Sequence, residues 1–343
     1  MHNQLSQQLK KWYPKRDQQL WVLGTLYHIE GPSYRKPGAM MLFNDLGEQY
    51  GLLSGGCLES DIQQHAAKVM ASQQPKTLCY DANDEDDRSF LLGIGCGGKI
   101  YILLQPLSKD NNYLQLEQVM QALEQRCNSI LLQKICDQSN SAEVEFLLPD
   151  DNAYSEVSAQ LKGKNALLVK QGEQTWLANH IKPNLHLLVV GGGVDAQPLV
   201  QMALTLGWEL TVCDPRPANA RREHFMGANN ILRCAPQALK QEALFSTFNA
   251  AIVMTHNLQL DADAIVALQE SSVKYLALLG PEVRKQQVLA LGGLKESQLT
   301  CAIAGPAGLR LGGELPEEIA LSVLAECQAV IKQMDGHSIS NQL

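Results

Sequence analysis

The chain has 343 residues, 45% of them hydrophobic and 19% charged, with a formal net charge of −8. This is ordinary globular composition, long enough for about two domains and a sizeable core. The acidic balance excludes the basic footprint that a nucleic acid or an anionic membrane surface demands. Nine cysteines without a CxxC pair fit neither a disulfide framework nor a structural zinc site. The first residues, Met1 to Gln8, are polar, and no apolar run approaches the ~18 residues of a membrane span. The reading is a cytoplasmic protein with reduced thiols and no signal peptide.

In chain order, an amphipathic helix is expected over Leu5–Trp12 and a strand over Leu20–Ile29. Gly31 to Gly38 is a Gly/Pro loop. Ala39–Phe43 and Tyr50–Leu53 pair as a hairpin around Asn44–Gly47, and a helix runs from Cys57 to about Ala71 with Leu58, Ile62, Ala66 and Val69 on one stripe. Ile100–Leu104 is a buried strand. These elements make residues 1–107 an N-terminal mixed α+β domain. Residues 108–183 form a middle extension with a helix over Tyr113–Gln125, three or four short strands and a polar loop at Asp137–Ser141, and no chemistry is legible there.

Residues 184–343 alternate strand and helix. Leu185–Val190 is a strand buried on both faces, followed by Gly191-Gly192-Gly193 and a helix with Ala196, Leu199, Val200, Ala203 and Leu206 on one face. Trp208–Cys213, Ala250–Met254, Lys274–Leu279 and Thr300–Ile303 repeat the strand signal. The fold class is therefore α/β, with a C-terminal Rossmann-like, doubly wound parallel sheet. A closing helix opens at Pro316, where a first-turn proline is tolerated and Glu317 and Glu318 complement the positive helix end.

Two cysteines are wrapped in glycine: Cys57 behind Gly55 and Gly56, and Cys96 between Gly95 and Gly97. Glycine removes bulk and permits positive φ, so a large ligand can approach the sulfur. Cys57 also falls at a helix N-terminus, which favours a thiolate. Arg35 and Lys36, in the rigid loop, are candidates to clamp a phosphate. Glu59 is read as a first-turn helix charge or a proton acceptor near Cys57. Gly191, Gly193 and Ala196 follow the GxGxxG/A pattern, and Asp214 stands where a ribose-binding acid is expected. Asp195, at the helix start, opposes a pyrophosphate by like charge. His256 and Arg216 fall at the carboxyl edge of the sheet, where open α/β folds bind ligands. The remaining cysteines, Cys213 and Cys234 among them, are read as packing residues.

Taken in order, Ser33-Tyr34-Arg35-Lys36-Pro37-Gly38-Ala39, Ser54-Gly55-Gly56-Cys57-Leu58-Glu59, Gly95-Cys96-Gly97-Gly98, Gly191-Gly192-Gly193, Cys213-Asp214-Pro215-Arg216-Pro217, Met254-Thr255-His256 and Gly305-Pro306-Ala307-Gly308-Leu309 to Pro316-Glu317-Glu318-Ile319-Ala320 resemble the XdhC/CoxI family of molybdenum-enzyme maturation factors. The resemblance covers about residues 20–107 and 185–330. It implies a homodimeric chaperone that binds the molybdenum cofactor (Moco), protects it during sulfuration by a cysteine desulfurase and helps insert it into a xanthine- or CO-dehydrogenase-type apoenzyme, a molybdenum hydroxylase. On that reading the protein is an accessory factor more than an enzyme. Cys57 and Cys96 would hold the molybdenum end, with Gly55, Gly56, Gly95, Gly97, Arg35 and Lys36 around it. Gly191, Gly193, Asp214, Arg216 and His256 would meet the pterin phosphate. The alternatives are an NAD(P)-dependent oxidoreductase with Cys57 or His256 catalytic, and a thiol redox regulator working through a Cys57–Cys96 disulfide.

Overall fold

The computed structural model describes residues 3–81, 98–135 and 142–340, so Gly95, Cys96, Gly97, Cys136 and the loop expected at Asp137–Ser141 lie outside the described residues. The chain forms two compact units, Met1–Pro183 and Asn184–Leu343.

The first unit contains α1 (Leu5–Trp12), β1 (Trp21–Glu30), β2 (Met40–Asn44), β3 (Gln49–Gly51), α2 (Glu59–Ser72), β4 (Lys76–Asp81), β5 (Lys99–Leu107), α3 (Leu116–Glu124), β6 (Ser129–Lys134), β7 (Val144–Leu147), α4 (Asn152–Leu161), β8 (Ala166–Gln171) and β9 (Gln174–Ile181). Five strands pair antiparallel in the order β3-β2-β1-β5-β4, and a second antiparallel sheet runs β7-β6-β9-β8. The α2 stripe of Leu58, Ile62, Ala66 and Val69 packs on Val22, Leu26, Phe43, Ile102 and Leu104. The opposite face of that sheet gives Trp21, Leu23, Leu42 and Leu107 to a core shared with Leu9 and Trp12 of α1, Val119 of α3, Leu131 of β6 and Ile181 of β9. Residues 108–183 are therefore welded to the first sheet. Within the contact, Gln133 Nε2 donates to Thr25 Oγ1 at 3.1 Å and Gln105 Oε1 at 2.9 Å, all three residues being buried.

Two helix starts differ from expectation. The helix expected at Cys57 begins at Glu59, after Gly56 turns the chain at φ +101°. The helix expected from Tyr113 begins at Leu116, because Asn112 to Gln115 hold left-handed φ between 49° and 58°.

The second unit contains β10 (His186–Val190), α5 (Ala196–Thr205), β11 (Glu209–Cys213), β12 (Asn230–Leu232), β13 (Ala250–Val253), α6 (Leu258–Leu268), β14 (Tyr275–Leu278), α7 (Glu282–Leu291), β15 (Ile303–Ala304) and α8 (Pro316–Lys332). All six strands are parallel, in the order β12-β11-β10-β13-β14-β15. Leu187 and Val189 face α5 and α8, whereas Leu188 and Val190 face α6 and α7. Burial on both faces is why these strands read as continuous apolar runs. Each such side chain contributes roughly 1.5–3 kcal/mol of transfer free energy. Leu206, expected on the α5 stripe, lies just past the helix end and is exposed. Glu318 closes the start of α8 by accepting from the Glu314 and Leu315 amides at 2.8 and 3.0 Å. Among the described residues no helix is long and apolar enough to cross a membrane.

Candidate functional site

In the first unit, the segment between β3 and α2 is a latched turn. The Glu59 carboxylate is buried and points back along the chain. Its Oε1 accepts from the Leu53 and Ser54 amides at 3.2 and 2.7 Å, and its Oε2 from Ser54 Oγ at 2.5 Å. Ser54 Oγ in turn accepts from the Gly56 and Leu58 amides at 3.3 and 3.2 Å. Every carboxylate bond serves the turn, so Glu59 shapes the loop instead of receiving a proton at Cys57. Gly55, Gly56 and Cys57 stand exposed on the outside of this latch, two residues before α2 begins. A Cβ on Gly56 would meet nothing within 4 Å, and the backbone there needs a positive φ. Cys57 is thus exposed on the turn that leads into α2.

The Gly31–Gly38 loop runs beside this turn. The position a Cβ would take on Gly55 lies 3.9 Å from Tyr34 Cγ. At the loop's far end Gly38, at φ +94°, is pressed on β8 and β9: its Cβ position lies 2.8 Å from Asn179 Oδ1 and 2.9 Å from Ala166 Cβ, and Asn179 Nδ2 donates to its carbonyl at 3.1 Å. At the near end, a Cβ on Gly98 would fall 2.1 Å from the Pro32 carbonyl oxygen, so only glycine lets the two backbones meet. Ser33 Oγ donates to the Arg35 carbonyl at 2.5 Å. Arg35 Nε is buried and meets no acceptor among the described residues, while Lys36 is exposed. A buried cationic donor without an acceptor, on the loop beside an exposed thiol, is chemistry suited to a ligand with an anionic group and a soft metal.

In the second unit the strand order reverses between β10 and β13, the crevice where such folds bind ligands. Gly191, at φ +121°, makes the tight turn there, its Cβ position lying 2.5 Å from the Met254 carbonyl oxygen. Asp214, fully buried at the end of β11, accepts from Arg216 N and Nε through Oδ1 at 3.0 and 2.9 Å. Its Oδ2 accepts from Arg216 Nη2, the Gly192 amide and Asn219 Nδ2 at 2.7, 2.9 and 2.9 Å. Burial pushes this carboxyl up, but the Arg216, Gly192 and Asn219 donors outweigh it and hold the group down to about 2. His256 follows β13 in a left-handed conformation, φ +58°, and its Nε2 meets Asp195 Oδ2 at 2.7 Å. A non-glycine residue held there costs on the order of 1 kcal/mol.

These contacts occupy groups that the usual dinucleotide pose would use. The glycine that should admit a pyrophosphate is Gly193, and its Cβ position lies 2.7 Å from the Asp195 carboxylate. The clearance at Gly192 is filled by Ala220, whose backbone N lies 2.3 Å from the Cβ position. The acid expected to hold a ribose, Asp214, is spent on five internal donors. Of the fingerprint residues, Gly191 makes the tight turn, while Gly193 meets the Asp195 side chain and Asp214 accepts from groups of its own unit. Arg216 remains available through a half-exposed guanidinium, as does the exposed His256 ring.

The structure thus brings Cys57, Gly55, Gly56, Arg35 and Lys36 to one side of the first unit, and Gly191, Gly193, Asp214, Arg216 and His256 to one sheet edge of the second. Sequence reasoning missed Tyr34 beside Gly55, the Ser54–Glu59 latch, Asn219, and the Asp195–His256 contact. Only the latch left a signal, in the Ser54 and Glu59 residue types that flank the turn.

An antiparallel unit that exposes a thiol, followed by a Rossmann-type unit with a parallel sheet, defines a two-part α/β protein. The family described as the XdhC Rossmann domain matches residues 187–327, and the XdhC and CoxI family matches residues 15–81. A Bacillus subtilis protein that bears the name of a probable xanthine dehydrogenase subunit is 33% identical over 317 residues, 90% of this chain and 93% of that one. The Escherichia coli protein named molybdenum cofactor insertion chaperone PaoD is 26% identical over 317 residues, 90% of this chain and 83% of its own length. A crystal structure described as a xanthine dehydrogenase from Bacillus halodurans superposes with a TM-score of 0.80 at 29% identity, covering 98% of this chain and 99% of that one. The chain belongs to the XdhC/CoxI family.

Proposed function

We propose that this chain carries the molybdenum cofactor as cargo and helps place it in a molybdenum hydroxylase apoenzyme of the xanthine dehydrogenase type. The observation that carries this reading is Cys57, exposed on an open, latched turn at the start of α2, with Arg35 Nε, which meets no acceptor among the described residues, on the neighbouring loop. A thiol is a soft donor that suits molybdenum, and a guanidinium suits a phosphate. The names borne by the Bacillus subtilis and Escherichia coli relatives support the same role. Cys96, in the second glycine-wrapped motif, is the partner thiol in this proposal. At the second unit's edge, Arg216 and His256 offer a separate contact for an anion. The finer role is to shelter the cofactor while a cysteine desulfurase sulfurates it, with the protein acting as a cytoplasmic homodimer.

The test is cofactor retention. Wild-type protein and the Cys57→Ala, Cys96→Ala and double variants would be purified without oxygen from cells that make the cofactor. Oxidised-pterin fluorescence and molybdenum would be read together, with circular dichroism as the folding control. The wild type should hold pterin and metal in near-equal amounts, and the double variant should lose both while staying folded. Full retention by the folded double variant overturns the assignment.

A further inference from the structure

The second unit brings together two thiols that the proposed cofactor site does not use. Cys213 ends β11 and is fully buried; Cys234 lies two residues past β12 and is half-buried. Their sulfurs stand 3.9 Å apart, and Cys213 Sγ also points at the Cys234 carbonyl oxygen at 3.6 Å. The ladder pairs Cys213 with Leu232, so Cys234 reaches the Cys213 side chain diagonally, from beyond the last paired residue.

We infer that Cys213 and Cys234 are a thiol-oxidation site that closes to a reversible disulfide under hydroperoxide. Closing the bond requires the sulfurs to approach from 3.9 Å to about 2 Å. The movement falls on the compliant partner: β12 is a half-buried, three-residue strand at the edge of the sheet, whereas β11 is held between two neighbours. In the first step the Cys234 sulfur attacks the peroxide, forming a sulfenic acid and releasing one water. In the second the Cys213 sulfur attacks that sulfur, the S–O bond breaks, and the oxygen leaves as a second water with the Cys213 proton. The thiols together lose two hydrogens and two electrons, and hydrogen peroxide is reduced to two waters.

The bond would staple the excursion from Asp214 to Arg233, which carries Arg216, Asn219 and Ala220 over the glycine turn. Oxidation therefore ties down the segment whose Ala220 backbone fills the Gly192 clearance and whose Arg216 faces the crevice. This holds whether or not the chain carries the molybdenum cofactor.

The experiment uses the reduced full chain, freed of reductant and treated with hydrogen peroxide, then alkylated under denaturing conditions and digested with trypsin. Cleavage after Arg221 and after Arg233 puts the two cysteines on different peptides. The expected product is a cross-linked pair of those peptides, two hydrogens lighter than their sum and separated again by dithiothreitol. The pair should be absent in Cys234→Ala, a half-buried position where the variant stays folded by circular dichroism. Hydrogen exchange across residues 214–233 should slow on oxidation of the wild type and not of the variant. Full alkylation of Cys213 and Cys234 after peroxide, or a disulfide that maps to other cysteines, overturns the inference. Unchanged exchange in a cross-linked chain overturns its structural consequence.

Discussion

Asp214→Asn tests whether the crevice of the second unit is held by one buried carboxylate. The wild-type group is held near 2 against an ordinary value of 3.8. That difference corresponds to roughly 2–3 kcal/mol of stability. The folded value is depressed, so this contribution is fully present above the unfolded value of about 4 and is lost as pH falls through the folded value. At pH 3 about half of it is gone. Asparagine keeps the shape but turns an NH2 toward the Arg216, Gly192 and Asn219 donors, so roughly 2–4 kcal/mol should be lost at pH 7. Partial exposure of the Arg216 guanidinium favours the lower end of that range. Urea unfolding would be followed through the fluorine NMR signal of fluorotryptophan at Trp208, which is buried in the core of this unit. The gap between wild type and variant should hold level from pH 7 down to about pH 5 and shrink from there toward pH 3, other carboxylates cancelling in the difference. A variant as stable as wild type at pH 7, or a gap flat with pH, refutes the reasoning.

Two further outcomes follow from the same geometry. Gly192→Ala should lower the melting temperature far more than Gly193→Ala, because the first methyl would meet the Ala220 backbone at 2.3 Å and the second only the movable Asp195 side chain at 2.7 Å; differential scanning calorimetry decides, and equal losses contradict the packing described. Glu59→Ala removes the acceptor of three hydrogen bonds and should cost about 2–3 kcal/mol, with faster amide exchange at Ser54 and Leu58 read by mass spectrometry. Unchanged exchange there means that the turn does not depend on the latch.

The parallel sheet was legible because its strands are buried on both faces and so stay apolar residue after residue. The antiparallel unit was legible in outline, through the α2 stripe and the Gly/Pro loop. What escaped was whatever depends on distant residues meeting. Nothing local in Gln133 announces Thr25 and Gln105, so residues 108–183 read as a separate extension although they share a core with β1. The glycine fingerprint records that the chain turns tightly after β10. It does not record that Asp195 closes over Gly193 with His256, or that Asn219 completes the shell around Asp214. The weak start of α3 escaped because four successive left-handed residues carry no glycine. Cys213 and Cys234 looked like packing residues because each, alone, sits in an apolar or unremarkable setting.

The loop that carries Arg35 is tied at Gly38 to Asn179, at Pro32 to Gly98, and within itself from Ser33 to the Arg35 carbonyl. Fixing a backbone residue costs about 1–2 kcal/mol in lost conformational entropy. Here that cost is met when the unit folds, not when a ligand arrives. On the proposed reading, an anion held at Arg35 would order little of the loop, so few bonds would suffice to hold it.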